Sequence, residues 1–271
     1  MTRRLSCVPL GLLMLAVILT GSTAPVAEAP AQYPQTCSSN WCVVDIPDTP
    51  PSTYVMNNQW NTRGAHGSQS VAVYGSNSPV VWSTTWDWKR KQEWTVTTYP
   101  SAITGWHWGW HFAPPQTGFP VALSPGSPSQ PGWLMTTFPM PRAAARARAG
   151  TTSPSISSSI TPATQKPTPP QFELMVWLSY SRADLWIGYT PIAEDVDVGE
   201  YRRNVFHTAS TNAVFVPTAN QVDVDDANLN LLDFIGEIVT RNVGISRSWY
   251  LSSVEFGIEV YPGRGTLTVT S

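Results

Sequence analysis

Charge is scarce in this sequence: only 13% of its 271 residues are Asp, Glu, Lys or Arg, against roughly 25% in ordinary globular domains. The 16 basic residues do not outnumber the 18 acidic ones, and the formal charge is −2. A polyanion binder needs a basic face, so nucleic acid is excluded as a partner. Long apolar runs are also missing. The one candidate, Leu10 to Leu19, is shorter than the about 20 residues a bilayer span needs. Cysteine is rare, with three in the chain. What is plentiful is aromatic: 13 Trp, 9 Tyr and 8 Phe, enough for a core with aromatic surface left over. The 18 Gly and 25 Pro favour many short strands and turns, hence an all-β domain.

Arg3 and Arg4 precede the apolar run, and Ala-x-Ala triplets end at Ala29 and Ala31. This pattern predicts a secretory signal over residues 1–31. The mature protein is then secreted, with no membrane segment after cleavage. Losing the signal removes Cys7 and leaves Cys37 and Cys42 in a compartment where disulfides persist. A local Cys37–Cys42 bridge is expected, while two cysteines without supporting histidines make a poor zinc site. Nothing signals a cofactor or an oligomer, so a monomer is the expectation.

Residues 32–271 read as a single domain. Runs rich in Val, Thr, Trp and Tyr alternate with turn residues from Cys37 to Phe119 and resume at Phe172. Between them, residues 124–170 carry clustered prolines, the Ala/Arg tract Arg142 to Gly150 and a Ser/Thr/Pro stretch. That composition predicts an irregular or disordered segment. One helix is expected over Asp226 to Asn242, where Leu229, Leu232, Ile235, Ile238 and Val239 recur at helical spacing.

Two segments alternate strictly. Phe172, Leu174, Val176 and Leu178 share one face, leaving Glu173, Met175 and Trp177 on the other. Val254, Phe256, Ile258 and Val260 likewise oppose Glu255, Gly257, Glu259 and Tyr261. A third strand sets Met56, Asn58 and Trp60 on one face. A lone strand glutamate is most often a solvated outer-face residue. Two strands that each set Glu among aromatic or small residues fit the lining of a site better. Trp82, Trp86 and Trp88 suit groove lining and sandwich core equally, and Trp106, Trp108 and Trp110 are as ambiguous. His107 and His111 have the i, i+4 spacing of a helical metal pair, but their Gly/Trp context is not helical. A hydrogen-bonded structural role suits them better than a metal.

The wording of the motifs reaches further. Phe172-Glu-Leu-Met-Val-Trp-Leu178 and Ser253-Val-Glu-Phe-Gly-Ile-Glu-Val260 together resemble glycoside hydrolase family 12, whose members are mostly secreted endo-β-1,4-glucanases and xyloglucanases. Asn57-Asn-Gln-Trp60, Thr97-Thr-Tyr-Pro100, Gly105-Trp-His-Trp-Gly109 and Asp195-Val-Asp-Val-Gly199 extend the likeness over most of residues 37–123 and 163–271. The resemblance implies a β-jelly roll of two curved antiparallel sheets with one short helix packed on the outer sheet, and a groove for a β-glucan. It implies Glu173 as nucleophile and Glu259 as acid/base of a retaining hydrolase, whose carboxyl groups in such enzymes stand about 5–5.5 Å apart. Asn58, Trp60, Met175 and Trp177 become the substrate-binding residues, with Trp60 and Trp177 offering rings to sugar C–H faces and Met175 packing at the reaction centre. No metal and no cofactor are implied.

One departure stands out. Members of the family carry, before the nucleophile strand, a strand whose Asp hydrogen-bonds the nucleophile, and residues 124–170 hold no such motif. The sequences on either side match in order and spacing, so a local change of reading frame accounts for the segment better than an inserted loop. The function expected is endo-β-1,4-glucanase action on cellulose-type β-glucan or xyloglucan. The rival readings are a non-catalytic β-glucan-binding jelly roll and a family member impaired by the missing strand.

Overall fold

In the computed structural model of the chain, Phe172, Leu174, Val176 and Leu178 are all buried, the outcome that period-two alternation demands of a strand lying on a core. The structure describes residues 32–46, 53–76, 80–108, 119–123, 138–139, 142–148, 152–161, 172–180, 190–209, 211–218 and 228–270. The chain divides into Met1–Ala31 and Gln32–Ser271. The first unit, where the secretory signal is expected, lies outside the described residues, as do Trp110, His111 and Asp226.

The smaller sheet runs β1 (Gln35–Cys37), β4 (His66–Val73), β5 (Trp82–Lys89), β17 (Gly263–Thr270), β9 (Arg142–Arg148). The larger runs β12 (Ala193–Val198), β13 (Tyr201–Ala209), β14 (Asn212–Pro217), β11 (Phe172–Trp177), β10 (Thr152–Thr161), β16 (Tyr250–Val260), β6 (Ser101–Gly105), β3 (Thr53–Met56), β2 (Val43–Ile46). A short β7 (Val121–Ala122) also pairs with β16, and β8 (Phe138–Pro139) pairs with β15 (Asn228–Leu229). Neighbours are antiparallel except β11 and β14, which run parallel, a departure from the all-antiparallel expectation.

Between the sheets, Trp82, Trp86 and Trp88 pack with Val55, Val71, Ile258 and Leu267. These tryptophans are therefore core, not groove lining. A second core joins the buried face of β11 to Phe215 and to α1 (Leu231–Thr240), through Leu231, Phe234, Ile235 and Ile238. The helix thus packs under the larger sheet, which corrects its placement on the outer one. It also starts later than its periodicity suggests, because Asn230 caps it by accepting from the Leu232 amide at 3.2 Å.

The segment expected to be irregular contains two long strands. The Ala/Arg tract, with no branched or aromatic residue to mark it, pairs along β17 as β9. Thr152–Thr161 enters the larger sheet as β10, paired to β11 on one side and β16 on the other. The physical reason is the ladder. Without β10, β11 and β16 would each present an open row of donors and acceptors, and backbone pairing asks little of side-chain size. Ile160 supplies the core contact, while Ser155, Ser157 and Ser158 are buried beside it.

Candidate active site

The groove lies on the face of the larger sheet opposite α1. Glu173 and Met175 rise from β11, Ser155 and Ser157 from β10, Glu255 and Glu259 from β16, and Met56 from β3. Trp41, Asn58, Trp60, Tyr99, His107 and Trp108 complete the wall of a cavity of about 760 Å³. Serines on the central strand give the groove depth where larger residues would fill it. Gly257 has a related purpose, since a Cβ there would stand 2.6 Å from the Pro100 carbonyl and 3.0 Å from the Tyr99 ring. Its absence lets Tyr99 lie between Glu255 and Glu259, donating from its hydroxyl to the Ser155 carbonyl at 3.4 Å.

The two adjacent asparagines divide their work. Asn57 faces inward, donating to the Ser39 and Gln69 carbonyls and accepting from the Gln69 amide at 2.7 Å. With Gln59, which donates to Ser38 O at 3.1 Å, it anchors the loop closed by the Cys37–Cys42 disulfide, whose Cα atoms are 6.1 Å apart. That loop holds Trp41 at φ 62 with its side chain on the groove wall. Asn58, Trp60 and Met56 face the groove together, as their alternation predicts. Trp60 is 54% exposed and Trp108 47%, so both rings are open to a ligand.

Each carboxylate has its own surroundings. Glu173 accepts a hydrogen bond from Ser157 Oγ at 2.7 Å. Burial pushes its carboxyl above the ordinary range, the Ser157 hydroxyl pulls it back, the Glu255 charge pushes it up again and His107 opposes that. Glu259 has no hydrogen-bond partner among the described residues. Burial, with the Glu173 charge added, raises it to about 8. Glu255, only 2% exposed, meets His107 Nδ1 at 2.9 Å from both carboxylate oxygens and accepts from Ser253 Oγ at 2.9 Å. In register, Ser159 of β10 pairs with both Glu173 and Ser253, and Ser157 with both Met175 and Glu255. Glu255 and Glu259 thus follow each other along the groove from the Glu173 end.

Of the residues singled out from sequence, Glu173, Glu259, Asn58, Trp60 and Met175 meet on the groove. Trp177 does not. It is 4% exposed and buried among Phe206, Val214 and Val216, with Met175 and Tyr180 against it, because β13 and β14 bring bulky side chains over that end of β11. Its place as an exposed platform is taken by Trp41 and Trp108. His107 takes the hydrogen-bonded role expected of it, but its tie to Glu255, and the places of Ser157 and Tyr99, were not foreseen. The available signals were the shared parity of Glu255 with Glu259 and a faint Ile/Ser alternation in Ser155 to Ile160. Where the motif resemblance led to the expectation of an Asp beside Glu173, the structure has the Ser157 hydroxyl as donor. No cluster of His, Cys, Asp or Glu among the described residues could hold a metal ion.

The two-sheet β-jelly roll with its carboxylate-floored groove and aromatic rims has the fold of solved glycoside hydrolase family 12 structures. No protein-family model matches the sequence. The chain is 27% identical over 235 residues to Endoglucanase S of Pectobacterium parmentieri, covering 80% of this chain and 79% of that protein. Among solved structures, a family 12 xyloglucanase from Bacillus licheniformis superposes with TM-score 0.68 at 23% identity, covering 88% of this chain and 97% of that one. Trichoderma harzianum Endoglucanase 3, from the same family, gives TM-score 0.68 at 19% identity over 89% of this chain and 97% of the other.

Proposed function

We propose that the protein is an endo-β-1,4-glucanase that hydrolyses cellulose-type β-glucan or xyloglucan with retention of anomeric configuration. The observation that supports this most is one groove holding two carboxyl groups in unlike settings: Glu173 with a hydroxyl donor, Glu259 without a partner among the described residues and raised to about 8. Near neutral pH Glu259 holds its proton. In the first step a Glu173 oxygen attacks the anomeric carbon, the glycosidic C–O bond breaks, and the Glu259 proton passes to the departing oxygen. In the second, water attacks the same carbon as Glu259 takes a proton, and Glu173 is released. Trp60, Trp41 and Trp108 stack against sugar rings, and the low overall charge suits a neutral polymer. Asn58 contributes a polar edge and Met175 an apolar contact at the reaction centre.

Secretion by the predicted signal over residues 1–31 and action as a monomer belong to the same proposal. No helix among the described residues is long and apolar enough to cross a membrane. Reducing-sugar release from carboxymethylcellulose and xyloglucan tests the reading. Wild-type protein should release sugar and Glu173→Gln should not. Equal release by the variant overturns the assignment, and adsorption to cellulose without turnover by the wild type favours a binding module.

A further inference from the structure

Three carboxylates share the groove, and a two-step glycosidase needs two. Glu255 is the third, and its partner is His107, 4% exposed, on the segment just after β6. The imidazole meets both oxygens of Glu255 through Nδ1 at 2.9 Å, a contact for which Nδ1 must be the donor. Its other nitrogen, Nε2, lies 3.4 Å from the Asn58 amide nitrogen, while Asn58 Oδ1 is buried without a protein partner. The two ends of an amide have the same shape, and the proton count on the ring decides which end faces it. A neutral ring takes the NH₂ end. A doubly protonated ring takes the oxygen and turns the NH₂ end away.

We propose that His107 is a positioning residue carried as an imidazolium: paired with Glu255 on one side and with the Asn58 oxygen on the other, it neutralises the third carboxylate of the groove. This rests on the reading of Glu173 as the nucleophile. A neutralised Glu255 leaves Glu173 facing an overall neutral pair, so Glu173 ionises more readily than beside a bare anion. Burial alone lowers the basicity of His107, but the Glu255 charge and hydrogen bond, with Glu173 beyond, more than reverse this and leave it above its ordinary value. The other titratable groups around the pair are Tyr54 on β3, with Asp45 on β2 behind it, Tyr99 between Glu255 and Glu259, and Glu259 itself. Burial pushes both tyrosines up, so they stay neutral. No other cation faces the pair among the described residues.

The test is nitrogen-15 NMR of the full-length protein labelled at histidine, titrated from pH 5 to 9. The chain has four histidines. The His107 signal is assigned by its loss in His107→Gln or, should that variant not fold, by its response in Glu255→Gln. Both ring nitrogens protonated at pH 7, in a ring that becomes neutral earlier in Glu255→Gln, is the expected result. A neutral ring at pH 7 overturns the proposal, whether or not the protein cleaves glucan. In an active preparation, His107→Gln moves the acid limb of kcat/KM to higher pH, and His107→Gln with Glu255→Gln moves it back. A structural role alone lowers activity without that return, so a limb that does not move back also overturns the proposal.

Discussion

Glu255 and Glu259 stand on the same face of β16, four residues apart, and the two ends of that face could hardly differ more. At one end a carboxylate is closed in by His107 and Ser253. At the other a carboxyl group has no hydrogen-bond partner among the described residues, and burial with the Glu173 charge lifts it to about 8. The first is a fixed charge with its counterion and the second a proton store. Residue type and strand parity do not separate them, since both glutamates alternate correctly with the core. What separates them is the neighbouring chain: His107 comes from beyond β6, and no comparable cation reaches Glu259 among the described residues.

The contrast is broken most strongly at Glu259. Glu259→Gln should lower kcat/KM on natural polymer by about 10²–10⁴-fold, the contribution of a positioned acid/base, with the thermal midpoint little changed or raised. Glu255→Gln should do the reverse. Removing one partner of a buried pair destabilises folds by about 3–5 kcal/mol, visible as a lower Tm, while turnover persists at reduced temperature. Ser157→Ala removes the hydroxyl that donates to Glu173. A hydrogen bond to a charged group contributes about 1.5–3 kcal/mol, so kcat/KM should fall roughly ten- to a hundredfold, with the acid limb of the profile displaced upward.

The smallest effect concerns pH in the unaltered protein. Because the folded state holds the Glu259 proton up to about 8, whereas the ordinary value is 4.5, folding binds a proton between those values. Its contribution to stability is complete below the lower value and is lost as pH rises through the upper one. Activity should share the upper limit, with a basic limb of kcat near 8. A limb that lies below 6 would contradict the assignment of Glu259 as the acid.

Legibility in the sequence followed the same division. Strands whose side chains alternate between core and groove were plain: Phe172 to Leu178 and Val254 to Val260 carry large apolar residues on one parity, and the groove-facing residues followed from the other. β10 was not legible. Its pairing is a property of the backbone, called for by two open neighbouring edges, and Ser and Pro in Thr152–Thr161 advertise a loop. The donor to Glu173 was lost with it, since Ser157 means nothing until β10 is placed. The helix began at Asn230 instead of Asp226 because a cap, and not periodicity, sets a helix end. Trp177 has the right parity for the groove, but parity says nothing about a neighbouring strand. The bulk of Phe206 and Val214 on β13 and β14 covers it.

The central claim is that Glu173, and neither of the other two carboxylates, forms the bond to the sugar. Incubation with an activated 2-deoxy-2-fluoro cello-oligosaccharide, which slows the second step, followed by peptide mass spectrometry, tests this directly. The account predicts one adduct per chain, on the peptide containing Glu173. An adduct on Glu255 or Glu259, or cleavage that inverts the anomeric centre without any adduct, would contradict it.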